Sequence, residues 1–143
     1  LGSLRSWVVA GCIGSAFSLA VIAALGLGGT AIQLSIAVVS LGFFNGMFAV
    51  GAIGSMMSLA SEGRSDREGT RVGIWGAAQA IAAGFGGLLG ASMVDILRLS
   101  VKTDAAAYGT VFLFEAALFI ASSTLALRIM STRPVSVGLV PGE

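Results

Sequence analysis

A chain of 143 residues that is 56% hydrophobic and only 10% charged cannot cover its own surface in water, where a soluble domain carries about 25% charged residues. A net charge of +1 with no basic stripe argues against a nucleic-acid partner, and the lack of any histidine removes His-based metal sites, catalytic triads and proton relays. The single cysteine, Cys12, sits in an apolar segment and has no intrachain disulfide partner.

No charge occurs between Trp7 and Ser61, a stretch far longer than the roughly 20 apolar residues that cross a bilayer. The first residue is Leu1, as in a fragment, a processed chain or an unusual start. A first span is predicted over about 7–25, ending at the pause Gly26-Leu27-Gly28-Gly29-Thr30. A second runs over about 31–59, long enough to tilt or to project beyond the lipid. A polar loop from Ser61 to Arg71 follows, then a third span over about 72–94. A shorter polar segment from Asp95 to Ala107 leads to a fourth span over about 108–127. Arg128 closes it, and Pro134 opposes further helix. Spans of this length should be α-helical, because lipid offers the backbone no hydrogen-bond partners. The expectation is an all-α membrane protein with a bundle over 1–130 and a cytoplasmic tail over 131–143. A rival reading of the first span as a cleaved signal peptide fits poorly, since its apolar run is longer than the usual ~7–15 residues and lacks a clear cleavage site.

Basic residues set the orientation. With both ends cytoplasmic, Arg5, Arg64, Arg67, Arg71, Arg128 and Arg133 lie inside, and only Arg98 and Lys102 lie outside.

Small residues dominate the second and third spans. Gly42 and Gly46 form one G-x-x-x-G pair, Gly86 and Gly90 another, and Gly76, Ala80, Ala83 and Gly87 share a stripe at helical spacing. Such residues let membrane helices approach closely, so Gly42, Gly46, Gly76, Gly87 and Gly90 are packing candidates. Room for a flat ligand or a moving helix is the sharper alternative. Three amide or carboxyl side chains interrupt the spans away from their ends: Asn45 beside the Gly42/Gly46 pair, Gln79 one turn beyond Trp75, and Glu115. Asparagine and glutamine serve as interhelical glue at roughly 0.6 kcal/mol each. An ionised carboxylate in hydrocarbon costs several kcal/mol, so Glu115 should face protein or water. Phe112, Phe119 and Ser122 share its face of the helix. In the central loop three acids and three arginines cancel; it reads as a solvated turn, or as a latch in which Asp66 and the arginines pair with helix ends. No nucleophile–base pair, metal cluster or phosphate loop is visible, so no catalytic residue or metal site is assigned.

Gly63-Arg64-Ser65-Asp66-Arg67-Glu68-Gly69-Thr70-Arg71 resembles the Gly-Asp-Arg-x-Gly-x-Arg signature of the major facilitator superfamily, with one residue fewer between the first glycine and the aspartate. The run from Gly73 to Gly87, with Gly73-Ile74-Trp75-Gly76-Ala77-Ala78-Gln79-Ala80 at its head, is similar to a hallmark of one branch, the PucC/LhaA-type or bacteriochlorophyll delivery proteins. Ser55-Met56-Met57-Ser58-Leu59-Ala60 before the loop, Asp95 after the third span, and Val111-Phe112-Leu113-Phe114-Glu115-Ala116-Ala117-Leu118 resemble the same family. The resemblance covers about residues 40–130. It implies about twelve spans in two halves, of which these four correspond to the last four, the C-terminal part of a major-facilitator-type bundle. It also implies a role in assembling light-harvesting antenna complexes in a bacterial inner or intracytoplasmic photosynthetic membrane, by handling bacteriochlorophyll or shielding antenna subunits. The implied partners are lipid, the remaining helices and antenna polypeptides. Asn45, Trp75, Gln79 and Glu115 are the candidate ligand residues. With no histidine, Gln79, Asn45 or Glu115 could supply an oxygen to the magnesium of the pigment, as could water or a backbone carbonyl, while Trp75 and Phe85 could lie against the macrocycle. The competing functions are a secondary transporter of the same superfamily and a four-helix scaffold without ligand.

Overall fold

The computed structural model describes residues 4–61 and 68–131. Residues 62–67, with Asp66, Arg64 and Arg67 of the expected latch, and the tail beyond Ser131 lie outside the described residues; Arg71 falls in α3. Four helices follow one another: α1 (Leu4–Leu25), α2 (Ala31–Ser61), α3 (Glu68–Arg98) and α4 (Asp104–Ser131). All four are long and apolar enough to cross a membrane. Over the described residues the chain is an all-α membrane protein with four candidate spans.

The helices outrun the apolar stretches that announced them. α3 begins at Glu68, inside the expected polar loop, and both α3 and α4 extend about a turn past the apolar run at their shared end. An apolar window marks only the part of a helix that lies in hydrocarbon, whereas the ladder of backbone hydrogen bonds continues into the headgroup layer. At 1.5 Å per residue the 31 residues of α2 span about 46 Å, longer than the ~30 Å hydrocarbon core.

Helix starts follow local chemistry. The Thr30 Oγ1 accepts a hydrogen bond from the Gln33 amide at 3.3 Å, and the Gln33 Oε1 accepts one from the Thr30 amide at 3.0 Å. This reciprocal capping box satisfies two amides at the start of α2. At α4 the Ala106 amide donates to Thr103 Oγ1 at 3.3 Å, and Asp104 adds negative charge to the first turn. Within the spans, Ser18, Ser35, Ser40, Ser55 and Thr110 each donate to the carbonyl four residues back, so their hydroxyls need no partner from lipid.

α1 is the centre of the fold, packed extensively on α2 and α4. Its buried positions, including Val8, Gly11, Cys12, Ser15, Leu19 and Ile22, take up most of its circumference; Ala10, Ile13, Phe17 and Ala24 form the exposed stripe. The approach to α2 is backbone to backbone. A Cβ on Gly11 would stand 2.5 Å from the Phe48 nitrogen and 2.8 Å from the Phe44 oxygen, and one on Gly14 would collide with the Phe44 ring. Gly51 makes the reciprocal concession, since its Cβ would meet Val8 at 2.9 Å. On the other flank Ala16 and Leu19 pack on Ala116, with Leu41, Phe112 and Phe119 around them. Phe48 of α2 meets Phe119 of α4 edge to face at 6.4 Å.

α3 stands apart. It meets α4 mainly where the two are joined, through Val94 against Ala107 and Val111. The start of α1 and the end of α4 share one side: an Arg5 guanidinium NH2 donates to the Leu127 carbonyl at 3.4 Å, a favourable place for a cation at a helix C-terminus.

Candidate functional site

The wedge between α3 and α4 forms a cleft of about 420 Å³, within the roughly 300–1,000 Å³ range of small-ligand pockets. α3 supplies Gly86, Gly87, Gly90, Ala91, Val94 and Asp95; α4 supplies Tyr108, Val111, Phe112 and Glu115. The glycines make the α3 wall flat. Glu115, twelfth of the 28 residues of α4, lies about 16 Å from Asp104 at 1.5 Å per residue, deep in the span. It is half-buried, with its Oε1 3.7 Å from where a Gly90 Cβ would be. Among the described residues it has no hydrogen-bond or ion-pair partner.

The mouth of the cleft is polar. Arg98, at the end of α3, reaches across the connection to Asp104 with Nε–Oδ1 at 3.0 Å, and Asp95 lies 3.8 Å away on its own helix. The same guanidinium donates to the Tyr108 hydroxyl at 3.4 Å and sits 5.3 Å from the centre of its ring. Tyr108 in turn packs on Phe112 at 6.4 Å, one turn from Glu115. One arginine therefore ties both walls together at the end where they converge.

The candidate residues fall in different places. Glu115, Gly87 and Gly90 come together in this cleft. Gln79 lies 11 positions before Gly90 on α3, about 16 Å away along the axis, and is exposed. Trp75 is half-buried and Phe85 is exposed, both outside the cleft. Asn45 is exposed on α2. A Cβ added at Gly42, Gly46, Gly76, Gly86 or Gly87 would meet nothing within 4 Å among the described residues. The Arg98–Tyr108 contact went unread in the sequence; its only trace there is a basic residue closing one helix ten positions before an aromatic that opens the next. Other grooves among the described residues include one of about 490 Å³ between α1 and α2, bordered by Phe17, Ile36 and Phe44, one of about 380 Å³ between α1 and α4, walled largely by alanines, and one of about 290 Å³ on α3 beside Phe85. None of these three holds a charged side chain.

The chain matches the family described as PUCC protein over residues 1–133. It belongs to that family. The resemblance carried by the Gly73–Gly87 run is thus borne out, and the family match reaches back through α1 as well. The chain is 59% identical over 134 residues to the Bacteriochlorophyll synthase 44.5 kDa chain of Rhodobacter capsulatus; the match covers 93% of this chain and 31% of that relative. This PUCC-family chain therefore spans about a third of the length of the curated relative it matches. No solved structure matches it.

Proposed function

We propose that these four helices belong to a non-enzymatic membrane protein that assists assembly of light-harvesting complexes, by holding bacteriochlorophyll or shielding antenna polypeptides in a bacterial inner or photosynthetic membrane. The observation that carries this reading is the 59% identity, over nearly the whole chain, to a relative whose name refers to bacteriochlorophyll. The α3–α4 cleft supports it as a flat, mostly apolar slot opening at membrane depth.

Both ends are proposed to be cytoplasmic, on the six-to-two distribution of basic residues and on the Arg5–Leu127 contact that puts the two ends on one side. The test uses the full-length protein purified in mild detergent from pigment-making cells. Bacteriochlorophyll absorbance should accompany it, and its deletion should lower antenna complexes in the membrane. Purification without pigment, together with unchanged antenna levels, would rule this function out. A half-buried carboxylate in a membrane cleft is also what a proton-coupled carrier needs; pH-driven solute uptake into vesicles containing the full-length protein would favour that second reading.

A further inference from the structure

We infer that Arg5 and Arg128, at the end of the bundle where α1 starts and α4 finishes, bind the phosphate of an anionic phospholipid headgroup. This surface is distinct from the α3–α4 cleft, and the inference does not depend on a pigment role.

Charge separates the two ends of the α1–α4 pair. No acid occurs before Glu62 or between Glu115 and Glu143, so neither the start of α1 nor the end of α4 carries a carboxylate of its own to neutralise its arginine. The opposite end is balanced. There Asp104 opens α4, and Arg98 is engaged by Asp104 at 3.0 Å and Asp95 at 3.8 Å. The fold then brings the two basic residues of the acid-free end together from opposite ends of the chain. The half-buried Arg5 donates to the Leu127 carbonyl at 3.4 Å, and Arg128 is the next residue. Two like charges held side by side repel, and an anion shared between them relieves that repulsion. A guanidinium carries five N–H donors in a planar fork that matches phosphate oxygens two at a time, more than one carbonyl can take up. The surroundings suit a lipid better than a soluble anion. Leu4 and Trp7 are exposed on α1, and Leu125 and Leu127 on α4, which puts apolar surface beside the arginines for the glycerol and acyl chains. Tryptophan also favours the headgroup level of a bilayer. Thr124, one turn before Arg128, already donates its hydroxyl to the Ala121 carbonyl at 2.7 Å, so it asks nothing of a lipid chain lying on that face.

The test uses the full-length protein with one fluorophore on a cysteine at Thr124, in a background without other cysteines, reconstituted in phosphatidylcholine vesicles. Quenching is titrated with spin-labelled phosphatidylglycerol and with spin-labelled phosphatidylcholine. The anionic lipid should reach half-quenching at a mole fraction about tenfold lower, within the roughly fivefold that each basic residue contributes near an anionic surface. Arg128→Gln should cut this preference to about threefold, and Arg5→Gln with Arg128→Gln should bring the two lipids to parity. The single variant keeps the Arg5–Leu127 contact and stays decisive if the double variant does not fold. A fluorophore at Thr103 instead, where Arg98 and Lys102 are matched by Asp95 and Asp104, should show little preference. Parity in the wild type, an undiminished preference in Arg128→Gln, or equal preference at Thr103 would overturn the site. Loss of the preference on adding inorganic phosphate at matched ionic strength would overturn the lipid as its occupant.

Discussion

α1 and α3 both carry glycines, are apolar and are long enough to cross a membrane, yet they occupy opposite situations. Half of the most apolar stretch of α1 is buried inside this chain, against 6% for α3. In α1 the glycines are contact points, because Gly11 and Gly14 let the backbone of α2 come close. Among the described residues, the glycines of α3 from Gly69 to Gly87 face open space, and only Gly90 has a neighbour. Glycine in a membrane helix therefore identifies a surface able to receive another element without saying whether that element is a helix of the same segment, a helix elsewhere in a longer protein, or a ligand.

The sharpest way to break this contrast is to add side chains to each helix. Gly11→Leu would drive carbon into the backbone of α2. A loss of about 3 kcal/mol or more is expected, seen as little folded protein extracted in mild detergent and a collapsed SDS-unfolding midpoint. Tolerance of this variant would mean that α1 and α2 do not cross where they are placed. Gly87→Leu separates two accounts of α3. In a full-length protein whose remaining helices or ligand cover this face, it should cost about 1–3 kcal/mol, while Leu88→Phe should change the same midpoint little. Equal tolerance at both positions would show that the glycine face meets lipid.

Smaller effects are expected at the helix ends. Thr30→Ala removes half of the capping box of α2 and should lower stability by about 1 kcal/mol; restoring the hydroxyl with serine should recover most of it. Arg98→Ala removes an exposed ion pair and a cation–π contact, worth about 1 kcal/mol or less in stability. Its clearer signature should be a wider distribution of distances between spin labels at Ile81 on α3 and Ile120 on α4, because the clasp at the narrow end of the wedge is gone. An unchanged distribution would show that the Val94–Ala107–Val111 contact alone sets the angle. The two connections should also differ in exposure to an impermeant thiol reagent on intact cells lacking Cys12. Cysteine at Ser65 should be protected and cysteine at Thr103 labelled, and the reverse pattern would invert the topology.

Much of the architecture was legible from residue order alone, because apolar length is a direct consequence of bilayer thickness. The pause at Gly26–Thr30 ends α1 where expected. Helix ends were less legible, since α3 and α4 continue past the hydrophobic boundary. The Gly73–Gly87 run was enough to place the family, because its order of residues is specific. Partner faces were not legible. Lipid is as apolar as leucine, so hydrophobicity does not mark the buried side of a membrane helix as it does in water. For that reason the close crossing was hidden in Gly11, Gly14 and Gly51, while the more conspicuous Gly42/Gly46 pair faces outward. The same reason left Asn45, Gln79 and Glu115 equivalent as polar interruptions in sequence. Only the convergence of α3 and α4 distinguishes them, by placing Glu115 in a cleft and leaving the other two exposed, because which side chains meet depends on how helices lean together and not on their composition.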